Sequence, residues 1–198
     1  MTRRCGSLAA ALIVGATLTA CTHLQPGSDE LSYDERRDYL MGLQSWAMRG
    51  RIAVDTGERA FQGRFQWSQE PDALALTVRG PLGTNMLRVS GPAEALVVEA
   101  RGETWSLDEP EAQLSELVGW WLPVTSFKSW LLGLPDPDYS AQTRISEDSL
   151  LAALDQRLWQ LSFVSHQLAA GVLVPRRIDL SHGPLAFRIV VDSFDPAP

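Results

Sequence analysis

The fold class is decided by two stretches of sequence, Trp46-Ala-Met-Arg-Gly-Arg-Ile-Ala-Val54 and Phe61-Gln-Gly-Arg-Phe-Gln-Trp67. In both of them apolar residues or glycine occupy every second position, and mostly polar residues stand between them. A period of two is typical of a β-strand that turns one face to a core and the other to water. Both stretches are therefore predicted to be strands with one apolar face.

The same alternation continues outward from these two stretches. Further apolar pairs and triplets are spaced as short strands, at Leu74–Val78, Leu87–Val89, Leu96–Val98, Trp105–Leu107, Trp159–Phe163, Ile178–Leu180 and Phe187–Val191. Turn residues separate the early runs, at Gly57, Glu70-Pro-Asp72, Gly80-Pro81, Gly91-Pro92 and Gly102. Short strands at this spacing predict an antiparallel sheet or barrel. The pattern over residues 150–158 fits a helix or a strand equally well.

Three short helical segments interrupt this pattern. Ser32, with a glutamate three residues later, has the spacing of a capping box and predicts a helix that ends between residues 42 and 45. Pro110 is a favoured first helical residue, and Gly119 ends the second segment. Thr125 is the predicted cap of the third segment, and Gly133 is its predicted stop.

The second and third segments carry unusually large apolar residues, namely Trp120, Trp121, Phe127 and Trp130. A sheet with one apolar face has to cover that face. These side chains either pack directly on the sheet as an ordinary core or form a lid over a hydrophobic cavity. Periodicity leaves both alternatives open, because both bury the same side chains.

Composition narrows the function classes. The chain has 198 residues, of which 45% are hydrophobic and 21% are charged, as expected for one globular domain that needs no disulfide. There are 17 Lys+Arg residues against 24 Asp+Glu, a net charge of -7, and Lys128 is the only lysine. Nucleic-acid binding needs clustered basic charge, so we expect no nucleic-acid partner.

No pattern of catalytic or metal-ligating residues emerges from the sequence. The candidates are isolated residues: His23, His166, His182, Cys5, Cys21, Glu109, Glu111 and Glu116. The histidines and cysteines lack metal-ligand spacing, and there is no G-x-S-x-G, P-loop or H-E-x-x-H motif. The three glutamates are interpreted as the solvated face of a helix. We therefore expect no metal, no cofactor and no enzymatic activity.

The N-terminus has the pattern of an export signal. Arg3 and Arg4 precede the apolar run 8–18, which is too short to span a bilayer. Leu18-Thr-Ala-Cys21 follows and resembles the lipobox of bacterial lipoproteins. A plain secretory signal with a chance cysteine is the alternative. By analogy with the lipoprotein sorting rule, Thr22 in place of aspartate indicates the outer membrane.

This interpretation divides the chain into three parts. Residues 1–20 are the predicted lipoprotein signal peptide, residues 21–32 form a lipidated tether, and residues 33–198 form a single domain. Cys21 is the predicted lipidation site. The polar stretch after it, which contains Pro26, Gly27 and Ser28, is suited to a flexible tether.

Taken together, these residues resemble the LolB family of outer-membrane lipoprotein receptors. The resemblance rests on the lipobox, the two opening strands, Gly80-Pro-Leu-Gly83, Leu122-Pro-Val124, Ser129-Trp-Leu-Leu-Gly-Leu-Pro135, Trp159 and Leu173-Val-Pro175, in family order. It covers nearly the whole chain after the signal. The sequence departs from the family at Gln156-Arg-Leu-Trp159, where the family has Gln-x-Gly-Trp, and at Phe163, where a tyrosine is common.

The resemblance implies that residues 33–198 are a single lipoprotein-binding domain. Its implied fold is an unclosed antiparallel β-barrel with short α-helices that form a lid over a hydrophobic cavity. It implies binding: the protein would accept acylated lipoproteins from the periplasmic carrier LolA and deliver them to the inner leaflet of the outer membrane. We expect it to act as a monomer on the periplasmic face of that membrane. The acyl-chain cavity is then predicted to be lined by the apolar face of the early strands and by the lid, at Ile52, Phe65, Trp67, Leu76, Trp120, Trp121 and Trp130.

Leu82 stands apart, at the tip of a turn between Gly80 and Gly83. Its side chain either folds back onto its own sheet or projects from the turn. In the family this loop projects a leucine that inserts cargo into the membrane, and the resemblance gives Leu82 that role by position. Two other functions stay open for the chain: an outer-membrane assembly scaffold without a lipid cavity, and a periplasmic lipid hydrolase.

Overall fold

The computed structural model describes residues 31–196. The predicted signal peptide, Cys21 and all but the last two residues of the predicted tether lie outside this range. Within it, no helix is both long enough and apolar enough to cross a membrane.

The described residues form three helices and eleven strands. The helices are α1 (Tyr33–Met41), α2 (Pro110–Val118) and α3 (Val124–Leu131). The strands are β1 (Trp46–Asp55), β2 (Ala60–Glu70), β3 (Ala73–Arg79), β4 (Asn85–Gly91), β5 (Leu96–Ala100), β6 (Glu103–Leu107), β7 (Ala141–Ile145), β8 (Leu151–Gln156), β9 (Trp159–Ala169), β10 (Val172–His182) and β11 (Leu185–Asp195).

All eleven strands belong to one sheet in the order β6-β5-β4-β3-β2-β1-β11-β10-β9-β8-β7. Each neighbouring pair is antiparallel, and β1 joins the two halves of the chain by pairing with both β2 and β11. β6 and β7 are the two edges of the sheet, which is therefore unclosed. α2 and α3 lie between these edge strands in the chain. The expectation of an unclosed antiparallel sheet with short helices is confirmed.

The glycines in the two opening strands are required by close packing. A Cβ atom at Gly50 would lie 2.1 Å from the carbonyl oxygen of Val190 and 2.6 Å from the Phe65 ring. A Cβ atom at Gly63 would lie 2.5 Å from the carbonyl oxygen of Arg79. The pairing of β1 with β11 also shifts register at Gly50, as is common where a strand bulges. Glycine at position 50 therefore gives Phe65 the space to lie across β1.

The predicted helix starts are confirmed in two of three cases. Ser32 and Glu35 form the predicted capping box of α1. α2 begins at Pro110, and Gly119 follows it in the left-handed conformation, with φ of 85°. The prediction that Thr125 caps α3 is wrong, since the helix begins one residue earlier at Val124. The backbone N–H and hydroxyl of Thr125 both donate to the Glu111 carboxylate, so its side chain serves a tertiary contact.

The structure also settles the stretch that the pattern left open. Residues 150–158 contain a strand, β8, and the two-residue turn that leads into β9. Its partner β7 was missed in the sequence, because all five of its residues are exposed and no apolar alternation marks it.

Candidate functional site

A cavity of about 510 Å³ lies between the sheet and the segment that contains α2 and α3. Its volume is in the range of small-molecule pockets, about 300–1,000 Å³. The strand wall comes from β1–β6 and β11, and the lid wall comes from α2, α3 and the link between them. All of its lining residues are apolar except Arg101 and Glu103.

Five of the seven predicted cavity residues line this space. Ile52, Phe65, Trp67 and Leu76 lie on the strand wall, and Trp120 lies on the lid wall. Trp120 also makes an edge contact with Phe187, with 6.4 Å between ring centroids. The apolar face of the first strands and the link between the helices therefore meet across one cavity.

Trp121 and Trp130 do not line the cavity, and this part of the expectation is corrected. The Trp130 side chain is fully buried, 6.3 Å from the Trp159 ring, and its Nε1–H donates to Gln156 Oε1 at 2.9 Å. The Trp121 ring lies beside the Arg157 guanidinium, at 5.2 Å. Trp130 lies next to Phe127 on α3, with 5.4 Å between ring centroids, as expected for residues three apart. Phe127 and Leu131 line the cavity, whereas Trp130 lies behind Phe127 in the packed core.

The two alternatives for the large helix side chains are thus both realised, in different places. Trp120 and Phe127 cover the cavity as a lid. Trp130 packs against Trp159 as an ordinary core residue.

Sequence reasoning missed several lining residues. They include Val54, Val78, Val89, Val98, Trp105, Leu114, Phe127 and Phe187. All of those on strands continue the alternation that selected Ile52 and Phe65. The same pattern therefore marked the whole apolar face, while only the closeness of the lid distinguishes a cavity wall from a packed core.

The cavity reaches the end of the strands at which Leu82 projects. Phe61 and Met86 line it directly beside the β1–β2 and β3–β4 turns, and Arg101 and Glu103 line it at the β5–β6 turn. Leu82 is 93% exposed in the β3–β4 turn, so it does not fold back onto its own sheet. The turn is closed by a hydrogen bond from the Gly80 N–H to the Thr84 carbonyl, 2.9 Å long. The insertion role of Leu82 stays a prediction.

Glu111 is the one carboxylate of the expected solvated face that takes part in the site. It forms an ion pair with Arg157, and the two side chains are 18% and 8% exposed. Burial raises the pKa of Glu111, but hydrogen bonds from Arg157 and Thr125 outweigh burial and hold that pKa below its ordinary value. The interpretation of Glu111 as a solvated residue is therefore wrong. Its long-range partner in a turn gave no signal in the local sequence.

Gln156 organises the polar contacts around Trp130 and the loop that follows α3. Its Oε1 accepts hydrogen bonds from Trp130 Nε1 and from the Asp136 backbone N–H, both 2.9 Å long. Its Nε2 donates to the backbone carbonyls of Asp136 and Tyr139. A buried amide with both ends satisfied fixes its surroundings in one arrangement. From the sequence, Gln156 was noted only as part of Gln156-Arg-Leu-Trp159, the stretch that departs from the family's Gln-x-Gly-Trp motif.

Among residues 31–196, no group of three or more histidine, cysteine, aspartate or glutamate side chains is arranged to hold a metal ion.

The model of the family described as outer membrane lipoprotein LolB matches residues 44–194. The chain belongs to the LolB family. It is 30% identical over 191 residues to the outer-membrane lipoprotein LolB of Pseudomonas syringae, which covers 96% of this chain and 93% of that protein. It is also 30% identical over 174 residues to the LolB protein of Pseudomonas putida, covering 87% of this chain and 85% of that protein. The protein is therefore an outer-membrane lipoprotein of the LolB type.

Solved structures share the fold at low sequence identity. A LolA superfamily protein from Nitrosomonas europaea matches with a TM-score of 0.53 at 8% identity, over 87% of this chain and 91% of that one. A DUF1329 family protein from Desulfovibrio piger matches with a TM-score of 0.51 at 10% identity, over 82% and 90% of the two chains. At these identities the likeness concerns the fold alone.

Proposed function

We propose that the protein accepts acylated lipoproteins from a periplasmic carrier of the LolA type and inserts them into the inner leaflet of the outer membrane. The observation that carries this proposal is the apolar cavity of about 510 Å³ between the sheet and the lid. Membership of the LolB family supports the same role. The proposed ligand of the cavity is the set of acyl chains of the cargo.

The energetics of acyl chains favour direct transfer between proteins. Each methylene group that leaves water contributes about 0.8 kcal/mol, so several acyl chains together amount to tens of kcal/mol by that nominal sum. Cargo that passed through water would have to overcome this cost. Transfer therefore runs from one apolar cavity to another, with their mouths in contact, and needs no covalent step. We propose binding and release as the activity of this protein, without catalysis.

The wall of the cavity suits a carrier that must also release its ligand. Its apolar side chains offer non-directional contacts, which hold a chain without fixing its exact position. The two charged residues of the lining, Arg101 and Glu103, lie at the β5–β6 turn, at the end of the strands. Apart from these two residues the cavity wall is apolar, so it requires no polar group on the cargo for binding.

We further propose that Cys21 carries a lipid anchor and that residues 21–32 place the domain on the periplasmic face of the membrane. Multiple acylation makes anchoring stable, since two lipid signals already suffice. A chain that starts after residue 20 and carries Cys21→Ala should fold, stay soluble and still take cargo from the carrier. Loss of cargo uptake by this folded variant would show that the anchor is part of the binding site.

Leu82 is the proposed point of contact with the membrane. An exposed leucine at a turn tip can enter the boundary between headgroups and acyl chains, where a charged residue is disfavoured. Because the cavity reaches the same end of strands β2–β6, insertion of Leu82 would bring the cavity mouth to the bilayer.

The test is transfer of a purified acylated lipoprotein from a LolA-type carrier to this protein, followed by release into phospholipid vesicles. We expect the cargo to leave the carrier in the presence of this protein and to reach the vesicles afterwards. An assembly scaffold would leave the cargo on the carrier. A lipid hydrolase would instead release free fatty acid, and substitution of a single serine or histidine would abolish that release.

A further inference from the structure

The first turns of both lid helices are held by one side chain, that of Arg157 in the β8–β9 turn. Its guanidinium donates to Glu111 Oε1 at 2.9 Å and also bonds Glu111 Oε2. It donates to Thr125 Oγ1 at 3.2 Å and to Ser126 Oγ at 3.0 Å. Glu111 lies in the first turn of α2, and Thr125 and Ser126 lie in the first turn of α3. Arg157 therefore ties the starts of both helices to the sheet.

Arg157 is itself held firmly. Its guanidinium stacks over the Tyr139 ring at 3.9 Å, an arrangement that favours a planar cation. Ser126 Oγ donates to Asp136 Oδ2 at 2.6 Å, and the Asp136 backbone is bonded at both its N–H and its carbonyl to the buried Gln156. The contacts that hold the lid are thus connected, through Ser126 and Asp136, to the hydrogen-bond network of the buried Gln156 side chain.

The opposite end of the lid is attached differently. At the corner formed by residues 117–120, the Gly119 N–H donates to Ser115 within the same segment. The contacts of this corner across the cavity come from the apolar side chains of Leu117, Val118 and Trp120. Leu117 is 43% exposed, and Gly119 has φ of 85°, which leaves the backbone free to turn there. Apolar contacts are non-directional and can be exchanged for contacts with an acyl chain.

We infer that Arg157 is the positioning residue of the lid: it fixes the first turns of α2 and α3 while the corner at residues 117–120 moves outward to admit acyl chains. The inference rests on the proposed function for the identity of the ligand. The difference between the two ends of the lid stands on the geometry alone. Arg157 does not touch the cargo, since it is absent from the cavity wall.

The first experiment is hydrogen exchange of the mature protein in vesicles of phosphatidylethanolamine and phosphatidylglycerol. Without cargo, the amides of residues 117–120 should exchange severalfold faster than the amide of Thr125, which donates to Glu111. Equal exchange at the two ends of the lid would overturn the inference. This arm needs neither cargo nor a variant, so its failure is distinct from failure of the proposed function.

The second experiment compares Arg157→Gln with Arg157→Lys in cargo transfer. Glutamine should shorten the residence time of a carrier-delivered acylated lipoprotein severalfold and should abolish the protection of Thr125. Lysine keeps the charge and should restore part of both, although it lacks the planar fork of donors. The matched control is Arg177→Gln, which removes a cation paired with Asp179 within β10 and should leave both readouts unchanged.

A purely structural role would lower the melting temperature of Arg157→Gln without changing cargo residence in the fraction that stays folded. That result would overturn the inference. Should Arg157→Gln fail to fold, Glu111→Gln serves as the second variant, because it removes the same contact from the lid side. Unchanged cargo residence in folded Glu111→Gln would equally contradict the positioning role.

Discussion

The two halves of the sheet use the same alternation of apolar residues and end with different interiors. We call β1–β6 with α2 the hollow half, because their apolar faces line the cavity. We call β7–β10, together with the α3 residue Trp130 that packs on Trp159, the solid half. No described residue of β7–β10 lines the cavity. In the solid half Leu154, Trp159, Val174 and Ile178 are almost completely buried.

The difference arises from what covers each half. In α3, Phe127 and Leu131 line the cavity, while the neighbouring Trp130 packs against Trp159. The solid half also contains the Gln156 network, which fixes its position relative to α3. The packed core and the open cavity therefore occupy separate parts of one sheet. The predictions that follow test this separation.

The largest expected effect is on stability in the solid half. Trp130→Ala should lower the free energy of unfolding by about 3–5 kcal/mol, because it leaves a void in a packed core. It also removes one donor to Gln156. Trp120→Ala is the matched substitution in the lid and should cost only about 1 kcal/mol, since its side chain already borders empty space. Urea unfolding of both variants measures the difference, and equal losses would contradict the separation of the halves.

The next effect concerns the ion pair between Glu111 of α2, in the hollow half, and Arg157 of the β8–β9 turn, in the solid half. Glu111→Gln should cost on the order of 2 kcal/mol, because it leaves the largely buried Arg157 guanidinium without its carboxylate. The control is Asp192→Asn, which breaks the exposed pair with Arg51 and should leave stability unchanged. If Asp192→Asn lowered stability as much as Glu111→Gln, the Glu111–Arg157 ion pair would have no special role in stability.

The same pair predicts a pH dependence. The pKa of Glu111 is lower in the folded chain than its ordinary value, which is about 4.3. Its contribution is therefore complete above that value and is lost as the pH falls through the lower pKa of the folded state. The stability difference between the wild type and Glu111→Gln should shrink below about pH 4. A difference that stays constant down to pH 2 would show that the carboxylate charge is irrelevant there.

The sequence predicted the strands of the hollow half better than those of the solid half. Met48, Gly50 and Val54 alternate cleanly because one face of β1 is buried and the other is exposed. β7 has five exposed residues and therefore no alternation, so it could not be found. The cavity residues on strands followed from the alternation, whereas Trp130 was misplaced because the orientation of a short helix depends on tertiary contacts. The partnership of Glu111 with Arg157 joins residues 46 positions apart and leaves no local trace.

A smaller effect is expected on ligand binding in the hollow half. Leu76→Gln places an amide in the apolar wall and should weaken the binding of a long-chain fatty acid about tenfold, which corresponds to about 1.4 kcal/mol. Ala75→Gln is the control, since Ala75 is exposed on the opposite face of β3. Fluorescence titration of both variants measures the two affinities. If Ala75→Gln weakens binding as much as Leu76→Gln, the acyl chain does not lie on the apolar face.

The smallest effect on stability is expected at the turn tip. Leu82→Glu should leave the melting temperature and the uptake of cargo unchanged, because the side chain is 93% exposed. Release into vesicles should slow, since a charge opposes entry into the lipid boundary. Ala93→Glu, at the exposed β4–β5 turn on the opposite end of the same strands, is the control and should release normally. Normal release by folded Leu82→Glu would sink the membrane role of this turn.

The central claim is that acyl chains of the cargo occupy the hollow half and leave the solid half unchanged. The direct measurement is quenching of tryptophan fluorescence by a lipoprotein with brominated acyl chains, delivered by a LolA-type carrier. Trp67, Trp105 and Trp120 line the cavity, so the cargo should quench the protein, and Trp120→Phe should remove part of that quenching. Trp130→Phe should leave the quenched amplitude unchanged. Quenching that disappears with Trp130→Phe and persists in full with Trp120→Phe would place the acyl chains in the solid half and contradict the account.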